Sequence, residues 1–392
     1  MTAPLRFAIA GLGSAGSAMI RPVVKNPHFT LAAVADRDPE VLAHIRRDYP
    51  DTATFDTVEA MADSDQVDIV FVATPTHLHS AHVRAAIRAG KHVVSEKPMA
   101  TSLEDAQAMI AAADKAGVIF MVGHSFGYET PIKAMRELVR GGRLGALKML
   151  HNWYYTDWIY RPRNGEELDT SLGGGVILRQ GSHQFDIIRL IGGGLVRSVR
   201  AMTGRWDATR PADGAHTVFM EFEDGVAATA VYNGYDHFRT AELGFALGER
   251  GRPVNLARYG AARQALRHSA DESALKRQSR YGQAPKGAPQ PPPAGQPFYG
   301  LTLVSCEFGD MRQSPDGLLI YGPDGKEDMT LEKGISGRDN ILTELYGAIA
   351  AGKPPLHDGR WGLANLELCL AVVQSARERK EIYLSHQKAV ND

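Results

Sequence analysis

The fold of this chain is decided by a stretch near its start, Arg6-Phe7-Ala8-Ile9-Ala10-Gly11-Leu12-Gly13-Ser14-Ala15-Gly16. The first five residues predict a buried β-strand, and glycines with the spacing GxGxxG follow it before a helix-like stretch. Gly11 permits a tight turn, Gly13 lets the backbone approach a pyrophosphate, and Gly16 lets the helix pack closely on the strand. The stretch therefore predicts the first βα unit of a dinucleotide-binding domain.

The identity of the cofactor is indicated by the helix start and by the end of the second predicted strand. Ser14 and Ala15 open the helix, whose unpaired N–H groups suit phosphate oxygens. Asp36 follows about 20 residues later, where a carboxylate accepts a hydrogen bond from the ribose 2′-hydroxyl. A carboxylate there favours NAD, whereas Arg37 directly after it suits the 2′-phosphate of NADP. We expect NAD, with NADP as the alternative.

Short apolar runs alternate with helix-like stretches through the first 120 residues. Helices are predicted over His79–Ala89 and Leu103–Ala116, the second with Ser102 as its N-cap and Gly117 at its end. Strands separated by helices imply a parallel sheet that is covered on both faces. The pattern therefore predicts an α/β, doubly wound Rossmann domain over residues 1–123. Its strands are predicted at Arg6–Ala10, Leu31–Ala35, Ile69–Ala73, His92–Ser95 and Ile119–Val122.

The pattern changes after residue 123, where longer strands with alternating apolar residues follow one another. They are predicted at Met149–Tyr155, Val196–Trp206, His216–Glu223 and Val226–Tyr232. Glu223-Asp224-Gly225 predicts a hairpin turn between the last two, and Arg360–Lys380 predicts an amphipathic helix. Residues 124–392 are therefore predicted to form an α+β domain with a large, mostly antiparallel open sheet.

A loop-rich insert near residues 250–300 interrupts this second domain. Leu256–Ser279 is polar, basic and compatible with a helix, and Tyr281–Pro297 is rich in Gly, Pro and Gln. The composition predicts a surface loop or a partly disordered segment, and a lid or a subunit contact is the alternative.

The composition excludes several classes of protein. The 392 residues carry 44 basic and 45 acidic side chains, so no excess of positive charge indicates nucleic-acid binding. Cys306 and Cys369 alone cannot build a disulfide framework, and they fit a reducing compartment. The apolar runs are too short to cross a membrane, and the glycine spacing argues against a signal peptide in the first 20 residues. We expect a cytoplasmic protein.

Two further strand ends carry polar residues: Ala73-Thr74-Pro75-Thr76-His77-Leu78-His79 and Ser95-Glu96-Lys97-Pro98. Ligands of open α/β sheets bind beyond the carboxyl ends of the strands, so Lys97 is expected beside the nicotinamide. With the glycine loop, this order of motifs resembles the Gfo/Idh/MocA family of NAD(P)-dependent oxidoreductases. The resemblance extends over nearly the whole chain and includes Gly173–His183 and Gly352–Pro355.

The resemblance implies roles for individual residues. Lys97 matches the family lysine that binds the reacting hydroxyl, and His183 matches the histidine that usually accepts the proton. These roles suit an ammonium beside a developing alkoxide and a base that titrates near neutrality. The family's open sheet often mediates assembly, so a homodimer or homotetramer is expected. The residues expected to bind the cofactor are Gly11, Gly13, Ser14, Ala15, Gly16, Asp36, Arg37, Thr74, Pro75, His77, His79, Glu96 and Lys97.

One position departs from the family pattern. Arg179 stands four residues before His183, where many members carry Asp, and an arginine there favours an anionic substrate. Asn152–Arg163, Glu166–Thr170, Gly181–Gly194, Tyr232–Phe238 and the insert resemble the phthalate 4,5-dihydrodiol dehydrogenase branch of the family. That branch implies a cyclic cis-diol with carboxylates, which is oxidised to an enone that tautomerises to a catechol.

The resemblance to this branch supplies the expected substrate contacts. Arg161, Arg163 and Arg179 would hold the carboxylates of the substrate, and Trp153, Tyr154 and Trp158 would face its ring. The alternative is that the three aromatic residues belong to the core of the sheet and that Arg161 and Arg163 are solvated. The residues expected to bind the substrate are His124, Trp153, Tyr154, Asp157, Arg161, Arg163, Arg179 and His183.

Three other interpretations are weighed against this one. A sugar or cyclitol dehydrogenase of the same family is disfavoured by Arg179, because a neutral polyol leaves a buried guanidinium without an anion. A non-catalytic NAD(P)-binding regulatory protein is disfavoured by Lys97 and His183 together. A zinc site at His77, His79 and His82 is disfavoured because the family has a similar pattern there without metal, so no metal is expected.

Overall fold

The computed structural model describes residues 3–269, 271–283 and 291–390. Six strands form a first sheet, and every neighbouring pair in it is parallel. The strands are β1 Leu5–Ala10, β2 Phe29–Ala35, β3 Ala53–Phe55, β4 Ile69–Val72, β5 His92–Ser95 and β6 Phe120–Val122. Their order, β3-β2-β1-β4-β5-β6, reverses direction between β1 and β4, as in a doubly wound dinucleotide-binding sheet. The predicted Rossmann sheet is confirmed.

Five helices connect these strands: α1 Ser14–Lys25, α2 Pro39–Asp48, α3 Val58–Ala62, α4 His79–Arg88 and α5 Leu103–Ala116. The predicted caps of α5 are present, since the Ser102 hydroxyl accepts a hydrogen bond from the Asp105 N–H and Gly117 adopts a left-handed φ of 64°. The Asp38 carboxylate caps α2 in the same way, by accepting from the Glu40 N–H.

Nine strands form the second sheet, which is antiparallel except where β7 and β10 pair in parallel. They are β7 Leu147–Tyr155, β8 Val196–Gly204, β9 Ala215–Phe222, β10 Ala227–Asn233, β11 Leu301–Cys306, β12 Gly309–Gln313, β13 Gly317–Gly322, β14 Gly325–Thr330 and β15 Ile382–Tyr383. Their order is β14-β13-β12-β11-β7-β10-β9-β8-β15. The predicted α+β domain is confirmed, including the β9–β10 hairpin, in which Gly225 adopts a φ of 82°.

Six helices complete the described chain: α6 Thr130–Arg140, α7 Ser182–Ile191, α8 Ala261–Arg267, α9 Glu272–Arg277, α10 Gly337–Ala351 and α11 Gly359–Glu378. Helices α7 and α11 cover one face of the second sheet, and the other face is open. Late helices also cover the first sheet, since Ile341, Leu342 and Leu345 of α10 share a core with Phe7 and Ile9 of β1. No helix of the described residues is long and apolar enough to span a membrane.

The insert contains short helices in the stretch whose composition is compatible with a helix. Leu256–Ser279 contains two short helices, α8 and α9, because the Asp271 side chain accepts from the Ala274 N–H and starts a new helix there. Residues 284–290 of the predicted loop Tyr281–Pro297 lie outside the described residues. From α9 the chain runs to the first domain, where the Tyr281 N–H donates to the Leu12 carbonyl at 3.1 Å.

Candidate active site

A cleft of about 1470 Å³ lies beyond the carboxyl ends of the strands at the centre of the first sheet, where it faces the second domain. Most of the residues predicted to bind cofactor or substrate line it, although they come from distant parts of the chain. They are Gly11, Gly13, Ser14, Ala15, Asp36, Arg37, Thr74, Pro75, His79, Glu96, Lys97, Arg161, Arg163, Arg179 and His183.

The glycine loop has a different constraint at each glycine. Gly11 has a φ of 88°, which favours glycine, and a Cβ on Gly16 would collide with the Gly11 carbonyl. A Cβ on Gly13 would meet no atom within 4 Å, so that position faces open space at the start of α1. Gly11 and Gly16 therefore hold the loop against β1, and Gly13 leaves room for a ligand over the helix N-terminus.

Asp36 is fixed at the end of β2 by two backbone donors. One carboxylate oxygen accepts from the Leu12 N–H at 2.7 Å and the other accepts from the Asp38 N–H at 2.9 Å. The carboxylate is thereby held against the glycine loop, while Arg37 beside it is exposed. An open glycine loop, a helix start without a side-chain cap and a fixed carboxylate together fit a dinucleotide.

Two of the histidines after β4 contact the strand-end loops. His79 is buried between the carbonyl oxygens of Thr74 and Pro98, at 2.8 and 2.9 Å. His82 contacts the Thr74 hydroxyl at 2.9 Å, and His77 is exposed outside the cleft. No group of three or more metal-ligating side chains occurs in the described part of the chain.

Lys97 and His183 are brought to the same wall of the cleft. The Lys97 ammonium donates to the Arg179 carbonyl at 2.6 Å, within a turn of π-helix over Ile177–Gly181 that leads into α7. His183 lies in the first turn of α7. A π-helical turn rearranges the backbone hydrogen bonds of a helix and is frequent at functional sites. Here it presents a carbonyl to Lys97 one turn before His183.

Burial sets the protonation of both groups. It lowers the pKa of Lys97 to about 8, although the adjacent Glu96 carboxylate opposes the shift. Glu96 is itself paired with Arg338 of α10 at 3.1 Å. Burial and the nearby Lys97 charge hold the pKa of His183 well below its usual value, so its imidazole is neutral at pH 7. A neutral imidazole beside an ammonium is the pair that proton removal from an alcohol requires.

Aromatic rings hold the His183 imidazole in place. Phe126 lies edge-on to it, with ring centroids 4.6 Å apart, and Tyr299 lies 5.2 Å away. The Tyr299 hydroxyl donates to the Gln180 side chain at 2.8 Å, which ties the segment just before β11 to the π-helical turn. Phe126 also lines the cleft and presents an apolar surface to it.

A buried carboxylate organises the cations of the cleft. Glu167 lies 2.7 Å from Lys276, 3.2 Å from Arg163 and 3.6 Å from Arg179. Burial alone would raise the pKa of Glu167, but Arg163, Lys276 and Arg179 lower it to about 2, so it is ionised. One negative charge is therefore shared by three positive charges, and the group has a net positive charge.

Arg161 belongs to a separate pairing. Its guanidinium lies 2.7 Å from the Asp157 carboxylate, which also contacts Arg239 at 3.2 Å. Asp157 and Tyr154 do not line the main cleft; they line an adjoining cavity of about 310 Å³, to which Arg161 also contributes. Arg239 also pairs with Asp236 at 2.7 Å, so two carboxylates balance two guanidinium groups here, unlike the group around Glu167.

The predicted aromatic contacts to the ring are not brought to the cleft. Trp153 is 39% exposed on the outer face of the sheet, because side chains alternate along β7. Trp158 is buried beneath Arg163, whose guanidinium stacks 3.8 Å from its ring, and Tyr154 packs on Tyr299 in the core. None of these three side chains lines the cleft, whereas Phe126 does.

His124 is buried beneath the site rather than in it. Burial lowers its pKa to about 4. His357 is the neighbouring ring. Burial alone would lower the pKa of His357, but the Asp186 carboxylate, 3.4 Å from the ring, raises it to about 9. Asp186 also accepts from the Trp361 ring N–H at 2.7 Å, so this cluster ties α7 to α11.

Among the cleft residues that were not predicted, four make the contacts described above: Phe126, Glu167, Lys276 and Arg338. Glu167 occurs in a stretch quoted for its family resemblance, but only its neighbours in space show that it pairs with cations. Lys276 and Arg338 come from the insert and from α10, and no local motif marks either of them. The one sequence feature that points towards Lys276 is the basic composition of Leu256–Ser279.

Comparison with known proteins agrees with this geometry. A family model described as an oxidoreductase family with an NAD-binding Rossmann fold matches residues 5–124, and the GFO/IDH/MocA C-terminal domain matches residues 132–252. A 1-carboxy-3-chloro-3,4-dihydroxycyclohexa-1,5-diene dehydrogenase of Comamonas testosteroni is 35% identical over 378 residues, which cover 95% of each chain. A scyllo-inositol 2-dehydrogenase (NADP(+)) of Bacillus subtilis is 30% identical over 187 residues, 46% of this chain and 50% of that one.

Solved structures share the fold. A Bordetella bronchiseptica protein assigned as a dehydrogenase is 38% identical, with a TM-score of 0.91 over 97% of this chain and 100% of that chain. Levoglucosan dehydrogenase, in complex with NADH and L-sorbose, superposes with a TM-score of 0.76 at 17% identity, over 98% and 100% of the two chains. The chain therefore belongs to the Gfo/Idh/MocA family and is an NAD(P)-dependent oxidoreductase that acts on alcohol or diol groups.

Proposed function

We propose that the protein is an NAD-dependent dehydrogenase that oxidises a carboxylated cyclic cis-dihydrodiol, of the phthalate 4,5-cis-dihydrodiol type, to the corresponding catechol. The observation that carries this proposal is the net positive charge of Arg163, Arg179 and Lys276 around the single Glu167 carboxylate, in the same cleft as Lys97 and His183. Such a group favours an anionic substrate, because a partly buried cation is costly without an anion.

The two catalytic roles follow from the protonation of the site. The neutral His183 accepts the proton of the reacting hydroxyl, and the Lys97 ammonium stabilises the developing alkoxide. When bound, the nicotinamide supplies the acceptor for the hydride. The carbinol thus loses one proton and one hydride and becomes a ketone, which tautomerises to the aromatic catechol. Phe126 offers an apolar surface for the ring.

The Comamonas testosteroni relative supports this substrate class, since its name describes a ring with one carboxyl group and two hydroxyl groups. The competing function is that of a sugar or cyclitol dehydrogenase, as the inositol dehydrogenase of Bacillus subtilis illustrates. For NAD over NADP, the support is the fixed Asp36 carboxylate, which would repel a 2′-phosphate.

A substrate panel tests the proposal. Carboxylated cis-dihydrodiols, neutral cis-dihydrodiols, inositols and aldoses are each offered with NAD and with NADP, and NAD(P)H absorbance is followed. We expect the highest kcat/KM for a carboxylated dihydrodiol with NAD. Turnover of neutral sugars alone would reject the proposal in favour of the cyclitol alternative.

Two variants test the catalytic roles. Lys97→Ala and His183→Ala each remove a group that acts on the reacting hydroxyl, so we expect turnover to fall by about two orders of magnitude or more. NAD affinity, measured by calorimetric titration, should stay nearly unchanged. Unaltered turnover in both variants would contradict the assignment and would favour a nucleotide-binding regulatory protein.

We also propose that the open face of the second sheet joins copies of the chain into a homodimer or homotetramer. Met202 and Trp153 on this face are 51% and 39% exposed, and the strand registers place them in one row with Thr217 and Val231 between them. Phe219, 48% exposed, lies in the next row. Contiguous exposed apolar surface of this kind typically marks a protein interface.

A further inference from the structure

A short helix of the insert is fixed to the rim of the cleft by one carboxylate. Glu272, the first residue of α9, accepts hydrogen bonds from the Arg210 guanidinium at 2.7 and 2.9 Å. It also accepts from the Arg163 N–H at 2.7 Å. Arg210 is itself buried, so this anchor is rigid and fixes the direction of the helix.

The anchored helix directs Lys276 to the anionic centre of the cleft. Lys276 lies one turn after Glu272, its side chain is 19% exposed, and its ammonium lies 2.7 Å from one Glu167 oxygen and 3.0 Å from the other. Burial lowers the pKa of Lys276, although Glu167 opposes the shift. The insert therefore contributes a cation directly to the group of Arg163, Arg179 and Glu167.

We propose that Lys276, together with Arg179, binds the carboxylate of the substrate and so determines the selection of carboxylated over neutral diols. This inference rests on the proposed function and adds the residue, and the segment of chain, that confers the selectivity.

An unsatisfied donor supports a ligand at this position. The Nε–H of Arg179 is buried and has no hydrogen-bond partner among the described residues, and its terminal nitrogen lies 3.6 Å from Glu167, beyond a hydrogen bond. A buried donor without an acceptor is costly, and a carboxylate placed between Arg179 and Lys276 would satisfy it.

The backbone of Arg179 links the position proposed for the substrate carboxylate to Lys97, which would bind the reacting hydroxyl. The Arg179 carbonyl accepts from Lys97, while the Arg179 side chain faces Glu167 and Lys276. One residue thus joins the group that would bind the hydroxyl to the groups that would bind the carboxylate. A ring that carries both substituents can span the two sites, whereas a neutral diol uses only the first.

Kinetics with a matched pair of diols test the inference. Lys276→Met removes the charge and keeps most of the length, Lys276→Arg keeps the charge, and Arg267→Met removes an exposed charge from the neighbouring helix α8, away from the cleft. For a carboxylated cis-dihydrodiol we expect Lys276→Met to raise KM by about tenfold or more, with little change in kcat. For the same ring without the carboxylate, kcat/KM should not change.

The controls separate selectivity from a general structural effect. Lys276→Arg should recover most of the wild-type KM, and Arg267→Met should behave as wild type with both diols. Equal losses with both diols in Lys276→Met would show that the lysine merely supports the fold, and no loss with either would show that it does not contact the substrate. Either result overturns the inference.

A binding measurement keeps the inference independent of the reaction. The NADH complex of each variant is titrated calorimetrically with 3,4-dihydroxybenzoate and with catechol, which differ by one carboxylate. In Lys276→Met we expect about a tenfold loss of affinity for the first and no change for the second; Lys276→Gln repeats the test if Lys276→Met does not fold. If wild type oxidises no dihydrodiol but this difference persists, the proposed function fails and the role of Lys276 stands. Equal affinities in wild type and both variants would reject that role.

Discussion

At the scale of single residues, Lys97 shows how burial and a backbone contact prepare one side chain. Its ammonium is partly buried and donates to the Arg179 carbonyl, and burial lowers its pKa to about 8. Near neutrality the side chain is mostly protonated and can stabilise negative charge. A small rise in pH removes the proton, because the pKa lies close to the working range.

The pH dependence of kcat/KM should therefore have an alkaline limb. As pH rises through about 8, Lys97 loses its charge and the rate should fall. Between pH 6.5 and 7.5 the rate should be nearly flat, because the pKa of His183 lies well below 6.5. Steady-state rates with a saturating cofactor from pH 6 to 10 measure both features.

Lys97→Arg is the variant that identifies the titrating group. A guanidinium remains protonated through this range, so the alkaline limb should disappear while the plateau rate falls. An alkaline limb that persists unchanged in Lys97→Arg would assign it to another group.

Sequence alone predicted the site residues that lie in motifs but not those supplied by tertiary contact. Gly13, Asp36 and Lys97 lie within three residues of the ends of β1, β2 and β5. Because the carboxyl ends of parallel strands meet at one edge of a sheet, their convergence could be foreseen. Glu167 and Lys276 approach each other only because α9 is anchored through Glu272. The face of Trp153 depends on the register of β7, which the sequence pattern did not resolve.

At the scale of elements, β1, the glycine loop and α1 form a unit in which two glycines have separable roles. Gly16 is packed against the Gly11 carbonyl, and Gly13 borders open space. A methyl group at Gly16 would therefore disturb folding, whereas a methyl group at Gly13 would occupy room left for a ligand.

Two single substitutions should separate these roles. Gly13→Ala should leave the melting temperature within about 2 °C of wild type, since its φ of −68° suits alanine, but it should lower NAD affinity by about tenfold or more. Gly16→Ala should cost about 1–3 kcal/mol of stability through overpacking. Thermal melts and NAD titrations measure the two effects. Wild-type affinity in Gly13→Ala would mean that the pyrophosphate does not approach this loop.

The elements that the sequence predicted correctly have strong periodicity or clear caps. Helix α5 has both of its predicted caps, and the β9–β10 hairpin forms at its predicted turn. Strands β11 to β14 were not predicted, and β14 is largely exposed and polar. Only the pairing of β11 with β7 is long-range; β11 to β14 pair with one another as consecutive hairpins, and the turn at Pro323-Asp324 was a local signal that the prediction did not use.

At the scale of the whole molecule, the open face of the second sheet should determine the oligomeric state. Light scattering on the purified protein should give two or four times the chain mass of 42.6 kDa. Phe219→Glu places a charge on the half-exposed apolar face and should shift the mass towards that of one chain, whereas the exposed Arg267→Met should not. A wild-type mass of about 42.6 kDa would contradict assembly through this face.

The first sheet ends with β6 at Val122 and the second begins with β7 at Leu147, yet helices that follow β14 cover part of the first. Helix α10 lies over one face through Ile341 and Leu345, and Gly362 of α11 approaches Val122 closely on the other. A polypeptide ending at residue 123 would keep α1 to α5 but would expose to water the parts of each face that α10 and α11 cover, so we expect it to aggregate rather than fold by itself. The two halves should accordingly melt in a single calorimetric transition, and the nucleotide-binding half cannot be transplanted into another protein without its C-terminal helices.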